Sequence, residues 1–163
     1  MNHLIILPIV LPALMAGVIV TFAGHNLALQ RWIAGTVAVV LAGLSVQLLT
    51  EARLGPQGYF LGNWPAPFGI ALVLDRLSAT MLVLVAMLAL IVLIHVIGTG
   101  WDRRGRHFHA LFLFQLMGLN GAFLTGDAFN LFVFFEVLLI ASYGLMVHGG
   151  GGPRIRAGLH YIA

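Results

Sequence analysis

Cysteine and lysine are absent from this 163-residue chain, and charged residues of any kind are scarce. Without cysteine the chain has no disulfide bond, thiolate metal site, iron–sulfur ligand or cysteine nucleophile. Only 8% of its residues are charged and 61% are apolar, whereas about a quarter of the residues in a soluble domain are charged. So small a body cannot bury all of these long apolar runs, which argues against a soluble globular enzyme.

The few charges also argue against nucleic-acid and metal binding. The formal net charge is +3, and the arginines lie between apolar runs instead of forming one patch, so no nucleic-acid partner is predicted. His107 and His109 point to different faces of a helix because they are two residues apart, and the arginines beside them would repel a cation. We predict no metal site and no cofactor, and we interpret both histidines as residues of the membrane interface.

Five apolar runs dominate the sequence, and a sixth begins near its end. They cover residues 4–22, 32–50, 77–97, 107–126 and 128–147, and the sixth starts at residue 159. Each full run has about 20 residues, or roughly 30 Å of helix, which matches the hydrocarbon core of a bilayer. The pattern predicts an all-α polytopic transmembrane bundle, with residues 1–163 in a single membrane domain. Because the sixth run is too short to cross a bilayer, we expect the natural chain to continue.

The connection between the second and third runs differs from the others. Residues 55–69 contain four glycines, three prolines and several aromatic residues. This composition predicts a structured, hairpin-like loop that lies at the outer membrane surface.

The arginine positions indicate how the chain is oriented in the membrane. If the N-terminus is outside, two arginines fall in outside loops and six fall in inside loops. The outside residues are Arg53 and Arg76, and the inside residues are Arg31, Arg103, Arg104, Arg106, Arg154 and Arg156. The positive-inside rule favours this orientation, and the sequence therefore predicts a multi-pass membrane protein with its N-terminus outside.

Glu136 is the most informative residue of the chain. It lies near the midpoint of the fifth run, among phenylalanine, valine and leucine. A carboxylate at this depth costs at least ~2.5–3.5 kcal/mol, so such a residue is a functional candidate by default. Glu136 is either a proton or ion relay, or a protonated structural residue that hydrogen-bonds between helices. No cationic side chain of this chain lies at the same depth, so its partner is outside this sequence unless Glu136 is mostly protonated.

Two polar residues are candidates for a supporting role. Asn120 and Glu136 lie within ~3 Å of the same depth in the hairpin of the fourth and fifth runs. Asn120 therefore either holds Glu136 in place or simply joins helices through a hydrogen bond. Tyr143 is two turns from Glu136 on the same helix face, where it either lines a hydrated path or anchors the helix at the interface.

The sequence around Glu136 resembles that of a known transporter family. Residues 126–143 read GDAFNLFVFFEVLLIASY, which is similar to the fifth transmembrane helix of the D subunit of Mrp-type multisubunit monovalent cation/proton antiporters. Residues 59–64 (YFLGNW) and 74–78 (LDRLS) are similar to the D-subunit segment between helices two and three. The same superfamily includes antiporter-like subunits of respiratory complex I and of membrane-bound hydrogenases.

The resemblance implies a function and a role for Glu136. It implies a secondary transporter subunit, rather than an enzyme, of the bacterial inner membrane, which exchanges Na⁺ or K⁺ for protons together with other subunits. The family's helix-five glutamate corresponds to Glu136; its lysine partner on helix seven, and a second lysine that follows on helix eight, lie beyond this sequence. Two alternatives stay open: a proton-pumping subunit of NADH:quinone oxidoreductase or of a membrane-bound hydrogenase, and a non-transporting membrane scaffold.

Overall fold

The computed structural model describes residues 2–64 and 69–162 as a bundle of α-helices with one small hairpin. In chain order the elements are α1 (Leu7–Phe22), α2 (Leu27–Glu51), β1 (Gln57–Phe60), β2 (Ala71–Leu74), α3 (Arg76–Thr99), α4 (Phe108–Leu124), α5 (Ala128–Met146) and α6 (Gly152–Ile162). By length and composition α2, α3 and α5 can each span a bilayer, and α1 and α4 are shorter apolar helices. The predicted all-α membrane bundle with a hairpin-like loop is confirmed.

Helix α4 is the centre of the bundle. It packs mainly against α1 and α5, and it also contacts α2 and α3. Two glycines of α4 let α5 approach closely: a Cβ atom on Gly121 would lie 2.2 Å from the ring of Phe134, and one on Gly118 would lie 3.0 Å from Leu138. Because lipid provides no hydrophobic drive for helix association, close van der Waals contact of this kind is what holds α4 and α5 together.

Asn120 on α4 compensates for a missing hydrogen bond in α1. Pro12 lies inside α1 and has no N–H group, so the carbonyl of Pro8, four residues earlier, has no partner in its own helix. The Asn120 side chain is buried, and its amide Nδ2 donates to the Pro8 carbonyl at 2.8 Å. An unpaired carbonyl costs several kcal/mol in a bilayer, so this bond fixes α1 against α4.

The strands β1 and β2 form an antiparallel hairpin across one end of the bundle, which we call the hairpin end. Tyr59 and Leu72 pair across the sheet and are both buried against the helices. The Gly126 N–H donates to the Ala71 carbonyl at 2.8 Å, which joins the α4–α5 turn to β2. Strand β2 lies beyond the predicted loop, and residues 65–68 of that loop lie outside the described residues.

Helix α6 begins at Gly152, earlier than the start at residue 159 that the apolar pattern predicts. The backbone turns into it through glycines 149–151, which all have positive φ. Pro153 then occupies the first turn, where its missing N–H costs nothing. Arg154 and Arg156 interrupt the apolar pattern, and for this reason the sequence predicts a loop before residue 159. In the structure the segment forms an amphipathic helix that packs on α5.

At the opposite end, which we call the arginine end, a buried ion pair joins α2 to α4. Asp102, in the turn after α3, is fully buried, accepts two hydrogen bonds from Arg31 at 2.6 and 2.8 Å, and lies 3.0 Å from Nε2 of His109. Burial alone raises the pKa of Asp102, but the hydrogen bonds from Arg31 and His109 outweigh it and hold the pKa below its ordinary value. His109 is thus buried in the bundle, and its interpretation as an interface residue was wrong.

A double-mutant cycle tests the bond between Asn120 and Pro8. Asn120→Leu leaves the Pro8 carbonyl unpaired and should lower the free energy of unfolding by about 1–2 kcal/mol. Pro12→Ala restores an N–H within α1 for that carbonyl, so Asn120→Leu should cost less in the Pro12→Ala background. Denaturant titration of the detergent-solubilised protein measures all four variants. An equal cost of Asn120→Leu in both backgrounds would contradict this role.

Candidate functional site

The start of α5 is fixed by a cap at the hairpin end. Asp127 is the N-cap residue, and its carboxylate accepts a hydrogen bond from the Asn130 N–H at 2.8 Å. Burial raises the pKa of Asp127, but the hydrogen bonds from Asn130 lower it by more. The pKa of this carboxyl group is therefore below its ordinary value. With α5 running from Ala128 to Met146, Glu136 lies close to the middle of the helix, at the depth predicted from the sequence.

Glu136 faces away from α4. Phe134 and Leu138 are the residues of α5 that contact the glycines of α4. Glu136 is two residues from each of them, which on a helix is a rotation of about 200°. Its side chain is accordingly exposed on the surface of the bundle. Within residues 2–64 and 69–162 no side chain forms a hydrogen bond or an ion pair with Glu136.

The surface around Glu136 is a stripe of large apolar side chains, which we call the α5 stripe. Phe129, Phe132 and Ile140 recur at helical spacing on the same face, with exposed fractions of 75%, 62% and 69%. A carboxyl group is therefore presented at mid-helix on an apolar surface. In a bilayer such a group is stable only if it holds a proton, reaches water or finds a cationic partner.

Asn120 does not share this surface. It matches Glu136 in depth, as the hairpin predicts, but its amide is directed at the Pro8 carbonyl on the other side of α4. Helix rotation decides this difference, because α1 and α5 pack against different faces of α4. The described contacts of Asn120 are those of a residue that joins two helices.

Tyr143 lies on the Glu136 face, where the two-turn spacing predicts it. It is half-buried, because α6 crosses α5 at this point and Gly158 lies against the Tyr143 ring. Next to this contact, the hydroxyls of Ser142 and Tyr161 are 3.3 Å apart. Helix α6 therefore covers the arginine-end part of this face and leaves the region around Glu136 uncovered.

Metal coordination finds no support in the described part of the chain. No three histidine, aspartate or glutamate side chains there lie close enough to one another to hold an ion. The chemistry that the Glu136 surface can support is the binding and release of a proton by one carboxyl group.

Comparison with known proteins shows which proteins the chain is similar to. No protein-family model matches the chain. The chain is 50% identical over 169 residues to the D subunit of a "Probable K(+)/H(+) antiporter" of Rhizobium meliloti, an alignment that covers 100% of the chain and 31% of that protein. It is 43% identical over 164 residues to the D subunit of a Na(+)/H(+) antiporter of Alkalihalophilus pseudofirmus, covering 99% of the chain and 33% of that protein.

Solved structures agree with these relatives. A chain in the structure of the Mrp complex from Dietzia sp. superposes with a TM-score of 0.89 at 31% identity, covering 99% of this chain and 31% of the other. A chain of an archaeal membrane-bound sulfane sulfur reductase has the same fold, with a TM-score of 0.89 at 24% identity, covering 97% of this chain and 33% of the other. The chain spans about a third of the length of the relatives it matches. It is therefore a membrane protein, and all of the given chain resembles about a third of the D subunit of Mrp-type cation/proton antiporters.

Proposed function

We propose that the chain forms part of a membrane subunit of a multisubunit monovalent cation/proton antiporter, and that Glu136 binds and releases the transported proton. The observation that carries the proposal is the position of Glu136: a single carboxyl group at mid-helix, exposed on the α5 stripe. The proteins to which the chain is 43–50% identical are named as K⁺/H⁺ and Na⁺/H⁺ antiporter subunits, which supports the transport of protons and monovalent cations.

The apolar surroundings of Glu136 allow a nearby cation to control whether its carboxyl group binds or releases a proton. An ionised carboxylate in contact with lipid is costly, and a positive charge brought close to it offsets that cost. A cationic group that approaches and withdraws by a few ångströms would therefore release and reload the proton, and each tenfold change in proton affinity corresponds to about 1.36 kcal/mol. The ion gradients and the membrane potential, worth ~2.3 kcal/mol per charge per 100 mV, drive such a cycle.

The partner that supplies this charge is proposed to lie in the remainder of the complex. The chain has no lysine, and its arginines are placed at helix ends, in turns and in α6 rather than beside Glu136. The α5 stripe is a surface on which another membrane helix would pack, since its apolar side chains and one carboxyl group match a helix that carries one buried cation.

The orientation is proposed to place the arginine end in the cytoplasm of a bacterial cell and the hairpin end outside its inner membrane. Contacts support a common location for the inside arginines: Arg31 reaches the turn after α3, Arg106 lies 3.0 Å from His25, and Arg154 donates to the His148 carbonyl. At the hairpin end, Arg76 lies beside the Arg53 carbonyl. The six-to-two arginine distribution then follows the positive-inside rule.

Of the two alternative functions, neither has an observation of its own in its favour. The sulfane sulfur reductase chain shares the fold at 24% identity, which does not extend to function. A purely structural Glu136 would form a hydrogen bond to another helix, and that partner, like the cationic one, would lie in the remainder of the complex; the exchange activity of Glu136→Gln separates the two roles.

Single-cysteine labelling tests the orientation. Because the chain has no cysteine, Leu54→Cys at the hairpin end and Gly152→Cys at the start of α6 each introduce one labelling site; Leu54 is 89% exposed, and a Cβ on Gly152 meets open space. An impermeant maleimide applied to intact cells should label position 54 and not position 152, and both should react after permeabilisation. Labelling of position 152 alone in intact cells would reverse the orientation.

Conservative substitutions test the role of Glu136. Glu136→Gln keeps the size and hydrogen-bonding capacity of the side chain but cannot ionise. In the assembled complex it should lower cation/proton exchange in membrane vesicles by at least about a hundredfold, the usual scale for losing an acid–base group. Glu136→Asp retains the carboxyl group one methylene further back and should keep partial activity.

The matched control is Phe132→Leu, which changes the same exposed face without touching a charge. It should assemble and exchange normally. Subunit abundance is measured in the same vesicles, so that loss of assembly is not mistaken for loss of transport. Near-normal exchange by Glu136→Gln at normal abundance would leave Glu136 as a structural residue.

A further inference from the structure

The arginine end carries a large excess of positive charge. It holds Arg31, Arg103, Arg104, Arg106, Arg154 and Arg156, which are six of the eight arginines in the chain. Asp102 is the one acidic residue of the chain at this end, because Glu51, Asp75 and Asp127 lie at the hairpin end and Glu136 lies at mid-helix. Within the described ranges, Arg31 is the only arginine that pairs with a carboxylate.

An open cavity of about 330 Å³ lies among these charges. One wall is formed by the turn between α1 and α2, residues 24–30, and the other by residues 102–106 after α3. Arg106 reaches across from the second wall to the first, where its Nη2 atom lies 3.0 Å from Nε2 of His25. The side chains of Arg103 and Arg106 are both exposed at this cavity.

Asp102, the acidic residue in the cavity wall, is paired and so does not repel a bound anion. Asp102 is fully buried, and its two carboxylate oxygens are occupied by Arg31 and His109. Arg104 is also engaged, since its guanidinium stacks 4.1 Å from the centre of the Trp101 ring. Among the described residues, Arg103 and Arg106 are the arginines of the cavity wall whose guanidinium groups have neither a carboxylate nor a ring-stacking partner, and Arg106 also contacts His25.

We propose that this cavity binds a phosphate group, and that an anionic phospholipid of the bilayer supplies it. Guanidinium groups bind phosphate oxygens in pairs of parallel hydrogen bonds, which makes arginine the favoured residue for such a ligand. The cavity lies at the ends of membrane-spanning helices; Trp101 precedes its wall residue Asp102 in sequence, the exposed Trp32 follows its wall residue Gln30 by two positions, and tryptophans mark the depth of lipid headgroups. Basic pockets between helices on the cytoplasmic side are suited to anionic headgroups.

Lipid binding to the purified, assembled complex tests the proposal. Native mass spectrometry measures the binding of phosphatidylglycerol and of zwitterionic phosphatidylcholine to the delipidated complex, with and without added inorganic phosphate. The double variant R103Q/R106Q should weaken phosphatidylglycerol binding roughly fivefold per arginine, or about 25-fold in all, with phosphatidylcholine binding unchanged.

The control variant R53Q/R156Q removes the same amount of charge outside the cavity, at one position on each end of the bundle. It should bind phosphatidylglycerol like the unmodified complex. If R103Q/R106Q assembles poorly, R103K/R106K keeps the charge without the paired hydrogen bonds and should weaken binding to an intermediate degree. An equal loss of phosphatidylglycerol binding in R103Q/R106Q and R53Q/R156Q, or no loss of binding in either variant, would overturn the proposal.

The measurements with added inorganic phosphate distinguish a lipid headgroup from free phosphate as the source of the ligand. A preference for phosphatidylglycerol that inorganic phosphate does not reduce assigns the cavity to lipid. Inorganic phosphate that competes, together with equal binding of both lipids, supports the phosphate site but overturns its assignment to lipid.

Discussion

Burying a polar group without a hydrogen-bond partner costs free energy, and this constraint shapes how the helices pack against one another. Two of the buried polar groups meet it within the described residues. The Pro8 carbonyl, freed by Pro12, accepts from Asn120, and the Asp102 carboxylate is paired with Arg31 and His109. Each pairing also joins elements that are distant in sequence. The hydrogen bonds that satisfy these polar groups therefore also hold the bundle together.

Helix α5 carries Glu136 without a side-chain partner among the described residues, and the two faces of the helix explain why. One face is closed against α4, where Phe134 occupies the space left by Gly121. The opposite face presents Glu136 within the α5 stripe, and α6 covers only the part near Tyr143. A side chain whose removal from water costs energy is thus kept where a further partner can reach it. The proposed role of Glu136 in proton transfer rests on this geometry.

The sequence predicts the helices and the location of Glu136 well, because each depends on local composition. A run of about 20 apolar residues specifies a membrane helix whatever surrounds it, and a turn closed by Asp127 sets the depth of Glu136. The partners of Asn120 and His109 depend instead on the rotation of α4 against α1 and α2, which composition does not encode. The start of helix α6 is predicted too late because an amphipathic helix lacks the continuous apolar run that identifies the other helices.

Infrared difference spectroscopy of the assembled complex measures directly whether Glu136 binds and releases a proton during exchange, as we propose. Illumination of a photolabile caged cation, or a rapid change of cation, initiates exchange, and the carbonyl stretch of a protonated carboxyl group reports its proton. We expect a carboxyl band that changes with the cation, is absent in Glu136→Gln and persists in Phe132→Leu. An identical band in Glu136→Gln would show that another group carries the proton.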